Sequence, residues 1–450
     1  PQHRRQRAPR MLNSGRQHRS YIVRTKWLLP VSFRPLENAW LRVERGLVTG
    51  FGTWPPRSLN GLKVIDQGNS IITTGFVNAH THLEFSSCQK PFNTAGGLHS
   101  WLRDVVSWKR EHSTSLVDPT QNNTAIISGI HESAACGVVA LGEIATTDAP
   151  YNEIPNRPRL RVFQEFLGLG SHSSHDGLSR EATCIRNAQR LSRAGVAVGL
   201  SPHAPYSTQW NVGQTVANDS RKKLGRPMRR GKHGIRSPLA MHLAESEFEA
   251  EFLKTQTGHF RTLFEDLGVW PNQTPNLATT PDWISLLATS DRGLIIHGTH
   301  LYDDQVAFSR LKLHRQKLTV VVCPRTTLAL SGKLPPISEF KKSGVRVCLG
   351  TDGRGSNPDL SIRAEAACLI ESGLVTPQEA LSMISANGAW ALGFEHRTGC
   401  IAAGRPADFV ILRPSVSPNT AEEATMMIFD CVTEVVATFR GGRPIAGNFL

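Results

Sequence analysis

The sequence of 450 residues contains no apolar run of about 18 residues, the length that a transmembrane helix needs. Its longest early apolar stretch, residues 27–33, is short and is interrupted by Pro30. Apolar residues make up 39% of the chain and charged residues 20%, a balance typical of globular proteins. The sequence therefore argues against a membrane-spanning protein, and no membrane partner is expected.

The eight cysteines include no C-x-x-C pair. A chain of this length does not need disulfide bonds to stabilise its core, and no secretory apolar segment precedes the first predicted strand. Reduced thiols and a cytoplasmic location are therefore expected.

Acidic residues are missing from two segments that carry the excess positive charge. The net charge is +14, but residues 1–20 hold six Arg and residues 221–236 hold eight Lys or Arg, both without an acidic residue. The rest of the chain is formally neutral, so no nucleic-acid partner is expected. Residues 1–20 are expected to form a disordered tail. Residues 221–236 are expected to be an exposed insertion, with binding to an acidic partner or a membrane as the alternative.

What the sequence does contain is a short apolar strand followed by a helix-like stretch, repeated eight times. Such apolar runs suit parallel strands that are covered on both faces. Eight strand–helix units predict an α/β fold, a (β/α)8 TIM-like barrel, over residues 71–398. The predicted strands are residues 71–83, 137–145, 160–168, 196–205, 239–246, 293–301, 318–327 and 345–353.

The flanking segments show a different pattern. Residues 21–70 and 399–450 alternate apolar and polar residues between glycine turns, as short β-strands do. We expect both chain ends to form one small β-sandwich domain, and two unrelated extensions are the alternative.

Polar residues follow the predicted barrel strands. The active site of such a barrel lies at the C-terminal ends of its strands, so several functional side chains should converge there. The candidates at these ends are His80, His82, His203, His242, Glu245, His297 and Asp352.

His80 and His82 have the spacing i, i+2, which places both imidazoles on the same face of a strand. Two nitrogen donors on one face can bind a divalent ion, although the H-x-H pattern alone also occurs by chance. His242 is the natural third ligand, and Asp352 is the expected fourth. An ordinary turn position beside Gly353 is the alternative for Asp352.

The remaining candidates are expected to handle protons and substrate. Glu245 lies three residues after His242 and is the candidate general acid/base, with a helix N-terminal carboxylate as the alternative. Asp352 is the candidate base towards water, and His297 should stabilise the attacked state. His203 stands between two prolines that stiffen its turn, and a core position is its alternative. Weaker candidates for substrate contact are Glu84 and Trp101.

Together these motifs resemble the amidohydrolase superfamily, in its branch of mononuclear deaminases and chlorohydrolases. The resemblance covers about residues 21–450. The matching segments are GFVNAHTHLEFS (75–86), GLSPHAPYS (199–207), MHLAES (241–246), IIHGTHL (295–301), CPRTT (323–327), LGTDGRGSNPDLS (349–361) and GCIAAGRPADFVIL (399–412).

The resemblance implies one divalent metal ion, Zn²⁺ with Fe²⁺ as the alternative, bound by His80, His82, His242 and Asp352. It also implies that Glu245 and His297 carry protons, that His203 contacts the substrate, and that a homodimer can form. The chain shows no H-x-E with P-C-x-x-C, which separates it from zinc enzymes of the cytidine deaminase type.

Three segments, HLEFS, WLRDVVSWKR and GTDGRGSNPDLS, look most like the branch with aminofutalosine deaminases, which act on a 6-aminopurine nucleoside. The predicted function is metal-dependent hydrolytic deamination, with release of ammonia, of an amino-purine nucleoside-like substrate such as aminodeoxyfutalosine or of another amino-heterocycle. The chain differs from relatives at Thr327 and Gly353, where His and Ser are frequent. Hydrolysis of a C–Cl, amide or cyclic amide bond on the same fold is the alternative, and a non-catalytic scaffold is a remote one.

Overall fold

The computed structural model describes residues 20–112, 119–169, 180–224 and 238–449. Nearly all of the predicted tail 1–20 and most of the basic tract 221–236 lie outside these residues. The described start of that tract, Arg221–Lys223, belongs to a short π-helical turn, Ser220–Leu224.

Both chain ends contribute strands to one sheet of eight strands. From the N-terminal end come β1 (Tyr21–Leu29), β2 (Leu36–Glu44), β3 (Leu47–Thr53), β4 (Lys63–Asp66) and β5 (Ile71–Thr74).

Eight further strands form a second sheet, in which every pair is parallel and neighbours follow chain order. A parallel bridge between Thr81 and Asp352 joins its first and last strands, so the sheet closes into a barrel. This architecture confirms the predicted (β/α)8 fold. The strands are β6 (Phe76–Thr81), β7 (Val138–Ala145), β8 (Arg159–Phe166), β9 (Ala197–Pro202), β10 (Leu239–Leu243), β11 (Gly293–His297), β12 (Leu318–Val322) and β13 (Arg346–Leu349).

The C-terminal segment completes the first sheet with β14 (Phe409–Arg413), β15 (Glu434–Arg440) and β16 (Arg443–Gly447). Its order is β16-β15-β14-β5-β1-β2-β3, with β4 paired to β1. The contact between the chain ends is the antiparallel pair β5–β14. The prediction that strands from both chain ends come together in one small β-structure is therefore confirmed; they form one sheet, and the bounds of the predicted sandwich domain stay a prediction.

Helices alternate with the barrel strands and cover the outside of the barrel. Barrel strands are buried along their length because helices cover one face and interior side chains fill the other. The α-helices are α1 (Gly97–His112), α2 (Pro119–Ala135), α3 (Arg180–Arg193), α4 (Trp210–Asp219), α5 (Glu247–Thr255), α6 (His259–Asp266), α7 (Thr280–Leu287), α8 (Gln305–Leu313), α9 (Pro324–Ser331), α10 (Ile337–Lys342), α11 (Ile362–Glu371), α12 (Pro377–Ser382), α13 (Gly388–Ala391) and α14 (Ala421–Met427).

None of the helices in the described ranges is both long and apolar enough to cross a membrane.

The segment 71–83, predicted as one strand, is divided at Gly75. Its first part, β5, pairs with β1 and β14 in the small sheet, whereas its second part, β6, opens the barrel. A Cβ at Gly75 would lie 2.2 Å from Cγ1 of Val139, so only glycine lets the chain pass from one sheet to the other. Residues 71–74, which were predicted as part of the barrel, thus pair within the small sheet.

Gly142 in β7 allows a similarly close approach inside the barrel wall. A Cβ at this position would lie 2.3 Å from the carbonyl oxygen of Ala79. Moving this backbone atom aside would cost free energy. We expect Gly142→Ala to lower the free energy of unfolding by about 1–3 kcal/mol, the usual cost of overpacking. Urea denaturation checks this. Gly168→Ala is the control, since its Cβ would meet Cγ1 of Val212 at 3.4 Å; an equal loss in both variants contradicts the expectation.

Candidate active site

The predicted histidines and Asp352 meet at the C-terminal end of the barrel. His80 and His242 lie near the ends of β6 and β10, and His297 is the last residue of β11. Backbone hydrogen bonds connect the first and last strands here: Asp352 N donates to His80 O, and His82 N donates to Asp352 O. His297 and Asp352 have φ values of +67° and +56°, an unusual conformation for residues other than glycine that is often found at functional sites.

The ligand atoms of His80, His82, His242 and Asp352 lie close together, in two overlapping groups that share His80. Oδ1 of Asp352 lies 3.4 Å from Nε2 of His80 and 3.5 Å from Nε2 of His82, and Nε2 of His82 lies 3.2 Å from Nε2 of His242. Ligand atoms that bind zinc tetrahedrally at about 2.0–2.1 Å are separated by about 3.3 Å. The separations therefore fit one small divalent ion.

The chemistry of these groups also fits a metal. His80 is fully buried; its Nδ1 has no hydrogen-bond partner among the described residues, and its Nε2 has only the contact of 3.4 Å with Asp352 Oδ1. Buried polar atoms normally have partners, so this exception calls for one. Burial lowers the pKa of His82 and of His242 well below the usual value, with further contributions from neighbouring histidines. Neutral imidazoles are the form that binds a metal.

Glu245 stands beside His297 at the edge of this cluster. Oε1 of Glu245 lies 3.3 Å from Nε2 of His297. Burial raises the pKa of Glu245 well above its usual value, with the charges of Asp352 and Glu249 acting in the same direction. Burial lowers the pKa of His297 to about 4. The raised pKa favours the protonated form of Glu245, which can donate a proton, while His297 is neutral near neutral pH.

The turn that carries Glu245 is fixed by a second carboxyl group. Glu249, in the first turn of α5, accepts hydrogen bonds from the backbone N–H of Ala244 at 2.9 Å and of Glu245 at 3.1 Å. Ala244 has a φ of +53°, a strained conformation for alanine that these bonds help to hold. Ser246 caps α5 by accepting from Phe248 N. The carboxyl group of Glu249 thus fixes the backbone at Glu245, and this positions the side chain of Glu245.

The second oxygen of Asp352 is held away from the histidines. Ser356 Oγ donates to Asp352 Oδ2 at 2.7 Å, and Ser356 Oγ also lies 2.9 Å from Thr326 Oγ1. Burial opposes the charge of Asp352, but the hydrogen bond and charges of the surrounding histidines lower its pKa below the usual value. Asp352 is therefore ionised, with Oδ1 facing the histidines and Oδ2 accepting a hydrogen bond from Ser356.

His203 follows β9 directly and lines the pocket. Its Nδ1 lies 2.6 Å from Ser207 Oγ, and its backbone oxygen lies 3.0 Å from Nδ1 of His242. Burial lowers the pKa of His203 to about 3, so the ring is neutral. Nδ1 is engaged by Ser207, which leaves Nε2 for a substrate.

The two weaker candidates occupy different positions. Trp101, on α1, lines the pocket and donates from Nε1 to the backbone oxygen of Gly355 at 2.9 Å. Glu84 is buried behind the pocket surface, where Oε1 lies 2.8 Å from Lys109 Nζ and Oε2 accepts from Thr146 Oγ1 at 2.7 Å. Trp101 can contact a substrate directly, whereas Glu84 meets the pocket through Lys109.

Several residues that line the pocket were not singled out from the sequence, among them Lys109, Glu165 and Tyr206. The strand-end rule would have found Glu165, because it stands one residue before the end of β8. Burial raises the pKa of Glu165 to about 8, and its Oε1 lies 3.7 Å from Nδ1 of His242. Lys109 and Tyr206 lie in segments that resemble the family, but they come from helical segments rather than strand ends, so the strand-end rule does not find them.

A family model described as "Amidohydrolase family" matches residues 71–445. A 5-methylthioadenosine/S-adenosylhomocysteine deaminase of Moorella thermoacetica is 25% identical over 389 residues, which cover 81% of this chain and 79% of that protein.

Two solved structures share the fold. An aminofutalosine deaminase of Helicobacter pylori, in complex with methylthio-coformycin, superposes with a TM-score of 0.77 at 23% identity, covering 94% of this chain and 99% of that one. An adenosine deaminase of Xanthomonas campestris with bound zinc gives a TM-score of 0.70 at 17% identity, covering 95% and 92%.

Proposed function

The chain belongs to the amidohydrolase family, and on that premise we propose that it is a metal-dependent aminohydrolase of a 6-aminopurine nucleoside or a related amino-heterocycle. The observation that carries the proposal is the pair of Glu245 and His297, 3.3 Å apart, beside the three-histidine and aspartate cluster. This arrangement combines a proton donor, a neutral imidazole and a metal site. The names of the deaminases of methylthioadenosine, adenosine and aminofutalosine support the substrate class.

His80, His82, His242 and Asp352 would hold the ion. A divalent ion at this site would lower the pKa of a water molecule towards neutrality. The zinc-bound structure from Xanthomonas campestris supports zinc over iron. A homodimer and a cytoplasmic location stay predictions.

In the proposed deamination, Asp352 and Glu245 carry out each proton transfer. Asp352 accepts a proton from water as the water oxygen bonds to the ring carbon that bears the amine, and Glu245 gives its proton to the adjacent ring nitrogen. The amine then takes the proton held by Asp352, and the carbon–nitrogen bond breaks to release ammonia. The new hydroxyl returns a proton to Glu245 and becomes a carbonyl. His297 stabilises the attacked state by hydrogen bonding.

The pocket has an apolar side suited to a heterocycle. Five apolar or aromatic residues line it together with the polar cluster: Phe85, Trp101, Leu102, Val105 and Tyr206. His203 presents a neutral ring nitrogen to the same space. A flat, neutral base can therefore pack on the aromatic side while its amine faces Glu245.

Ammonia release tests the proposal. Zinc-loaded protein should release ammonia from at least one of aminodeoxyfutalosine, methylthioadenosine, adenosylhomocysteine, adenosine and guanine. Prior treatment with a chelator should abolish release, and added zinc should restore it. No release from any of the five by protein with confirmed bound zinc would contradict deamination and favour hydrolysis of an amide or C–Cl bond.

A further inference from the structure

A buried carboxyl group contacts the chain next to the candidate metal site and takes no part in the proton transfers. Glu143, on β7, is 1% exposed. Its Oε2 accepts a hydrogen bond from the backbone N–H of Leu83 at 3.0 Å, and its Oε1 lies 3.2 Å from the hydroxyl of Tyr151, which is fully buried. Because Leu83 directly follows His82, this carboxyl holds the peptide group that leaves a candidate metal ligand.

A carboxyl group is costly to keep at this position. Burial raises the pKa of Glu143 well above its usual value, and the charges of Glu84 and Glu165 act in the same direction. An apolar side chain of similar size would avoid this cost, so packing alone does not account for a glutamate here. The contacts with Leu83 N and with Tyr151 are the ones that an apolar side chain could not make.

The ring of His82 lacks the usual support. A histidine that binds a metal almost always donates its second ring N–H to a neighbouring group, which fixes the orientation of the ring. His242 has such a contact, because its Nδ1 lies 3.0 Å from His203 O. Nδ1 of His82 is buried and has no hydrogen-bond partner within the described part of the chain. The direction of its Nε2 therefore depends on the backbone that carries the ring.

Two hydrogen bonds hold that backbone, one on each side of His82. Its own N–H donates to Asp352 O at 3.1 Å, and the N–H of Leu83 donates to Glu143 at 3.0 Å. The first bond connects His82 to another candidate ligand. The second bond connects it to the second strand of the barrel, which carries none of the candidate ligands, so Glu143 anchors the site to the barrel wall.

The ladder between the first two barrel strands does not provide this anchor. The pairing of β6 with β7 shifts register between Asn78 and Thr81, and it ends at the pair of Thr81 with Glu143. His82 lies beyond that last pair. A side chain of β7 therefore holds the segment where the backbone pairing no longer does.

We propose that Glu143 is a positioning residue of the metal site, which fixes the backbone of His82 through the peptide group of Leu83 and thereby aims His82 Nε2 at the ion. This inference rests on the proposed function, because it takes His82 as a metal ligand. Glu143 is not among the residues that line the pocket. Its contribution is therefore measured in metal affinity, before any chemical step.

The zinc affinity of full-length variants tests this role without turnover. Competition with a chromogenic chelator measures the Kd for zinc. We expect Glu143→Leu to raise the Kd by about 10–100-fold, the usual effect of removing a group that orients a metal ligand. Glu143→Gln should stay within about threefold of the wild type, because its amide oxygen can accept from Leu83 N while its amide nitrogen donates to the Tyr151 hydroxyl.

Tyr151→Phe is the matched control for a general loosening of the fold. It removes the other hydrogen bond of Glu143 but leaves the bond to Leu83 in place. Both Tyr151→Phe and Glu143→Leu should lower the Tm of zinc-free protein, yet only Glu143→Leu should weaken zinc binding. With Co²⁺ in place of zinc, the visible spectrum of Glu143→Leu should differ from that of the wild type, and Tyr151→Phe should keep the wild-type spectrum.

The outcomes separate this role from the reaction. An unchanged Kd in Glu143→Leu, or an equal rise in Tyr151→Phe or Glu143→Gln, overturns the positioning role, and ammonia release by the wild type would leave deamination standing. A Kd that depends on Glu143 in a chain that releases no ammonia supports the positioning role and overturns deamination. If Glu143→Leu does not fold, Glu143→Asp replaces it, since the shorter side chain withdraws the carboxyl from Leu83 N and should raise the Kd in the same way.

Discussion

Replacing Glu245 with Gln is expected to lower kcat by about three orders of magnitude, within the range for loss of a general acid/base. The amide keeps the size of the carboxyl but holds no proton that it can give to a ring nitrogen. Burial raises the pKa of Glu245 well above its usual value, which favours the protonated carboxyl that can donate. The initial rate of ammonia release at saturating substrate measures the loss.

Metal content and KM distinguish a lost proton donor from a damaged site. Glu245 is not among the side chains that converge on the metal position, so zinc content should stay at the wild-type value. KM should change by less than about threefold, because the interaction is made mainly in the transition state. Glu247→Gln is the matched control, since Glu247 is exposed at the start of α5. Near-normal turnover in Glu245→Gln would show that another group donates the proton.

The histidines and Asp352 of the candidate metal site could be predicted because all of them lie at or just after the C-terminal ends of barrel strands. Barrel strands place their last residues at one end, so a list of strand-end polar residues is also a list of neighbours. The i, i+2 spacing of His80 and His82 added a shared face, and the structure brings their rings to a centroid distance of 4.9 Å. Neither step required knowledge of distant contacts.

The wall of the pocket could not be predicted in this way. Lys109 reaches the site because α1 folds over the barrel mouth, where Trp101 donates to Gly355 O and Arg103 pairs with Asp266. These contacts join residues more than 150 positions apart in the chain. Helix periodicity predicts an apolar face but not which element that face meets. The pairing of Glu84 with Lys109 therefore had no sequence signal.

Backbone conformation was a second source of missing information. His297 and Asp352 were predicted from their places after strands, but not their left-handed conformations. Glu249 was not singled out, although its carboxylate holds the turn beneath Glu245. Such residues act through backbone groups, and a backbone N–H carries no sequence signature.

Removing one metal ligand is expected to abolish zinc binding. In His80→Ala, bound zinc should fall from about one ion per chain to near zero, because His80 is fully buried and belongs to both ligand groups, the one with His82 and Asp352 and the one with His242 and His297. Activity should fall with the metal. Elemental analysis of purified protein measures the loss independently of turnover.

Thermal stability gives a second measure that does not depend on activity. An ion that binds only the folded chain stabilises it by about 2.7 kcal/mol when free zinc is a hundredfold above Kd. Wild-type protein should therefore show a higher Tm with zinc than after chelation, and His80→Ala should show the same Tm in both conditions.

The matched control is His300→Ala, which should keep the zinc-dependent Tm of the wild type. His300 lies three residues after His297, but its Nδ1 faces Asp303, at 2.9 Å from Oδ2. The separations of 3.2 to 3.5 Å among the cluster atoms leave room for one ion, and His80 would be one of its ligands. A zinc-dependent Tm that persists in His80→Ala would therefore show that the ion binds elsewhere.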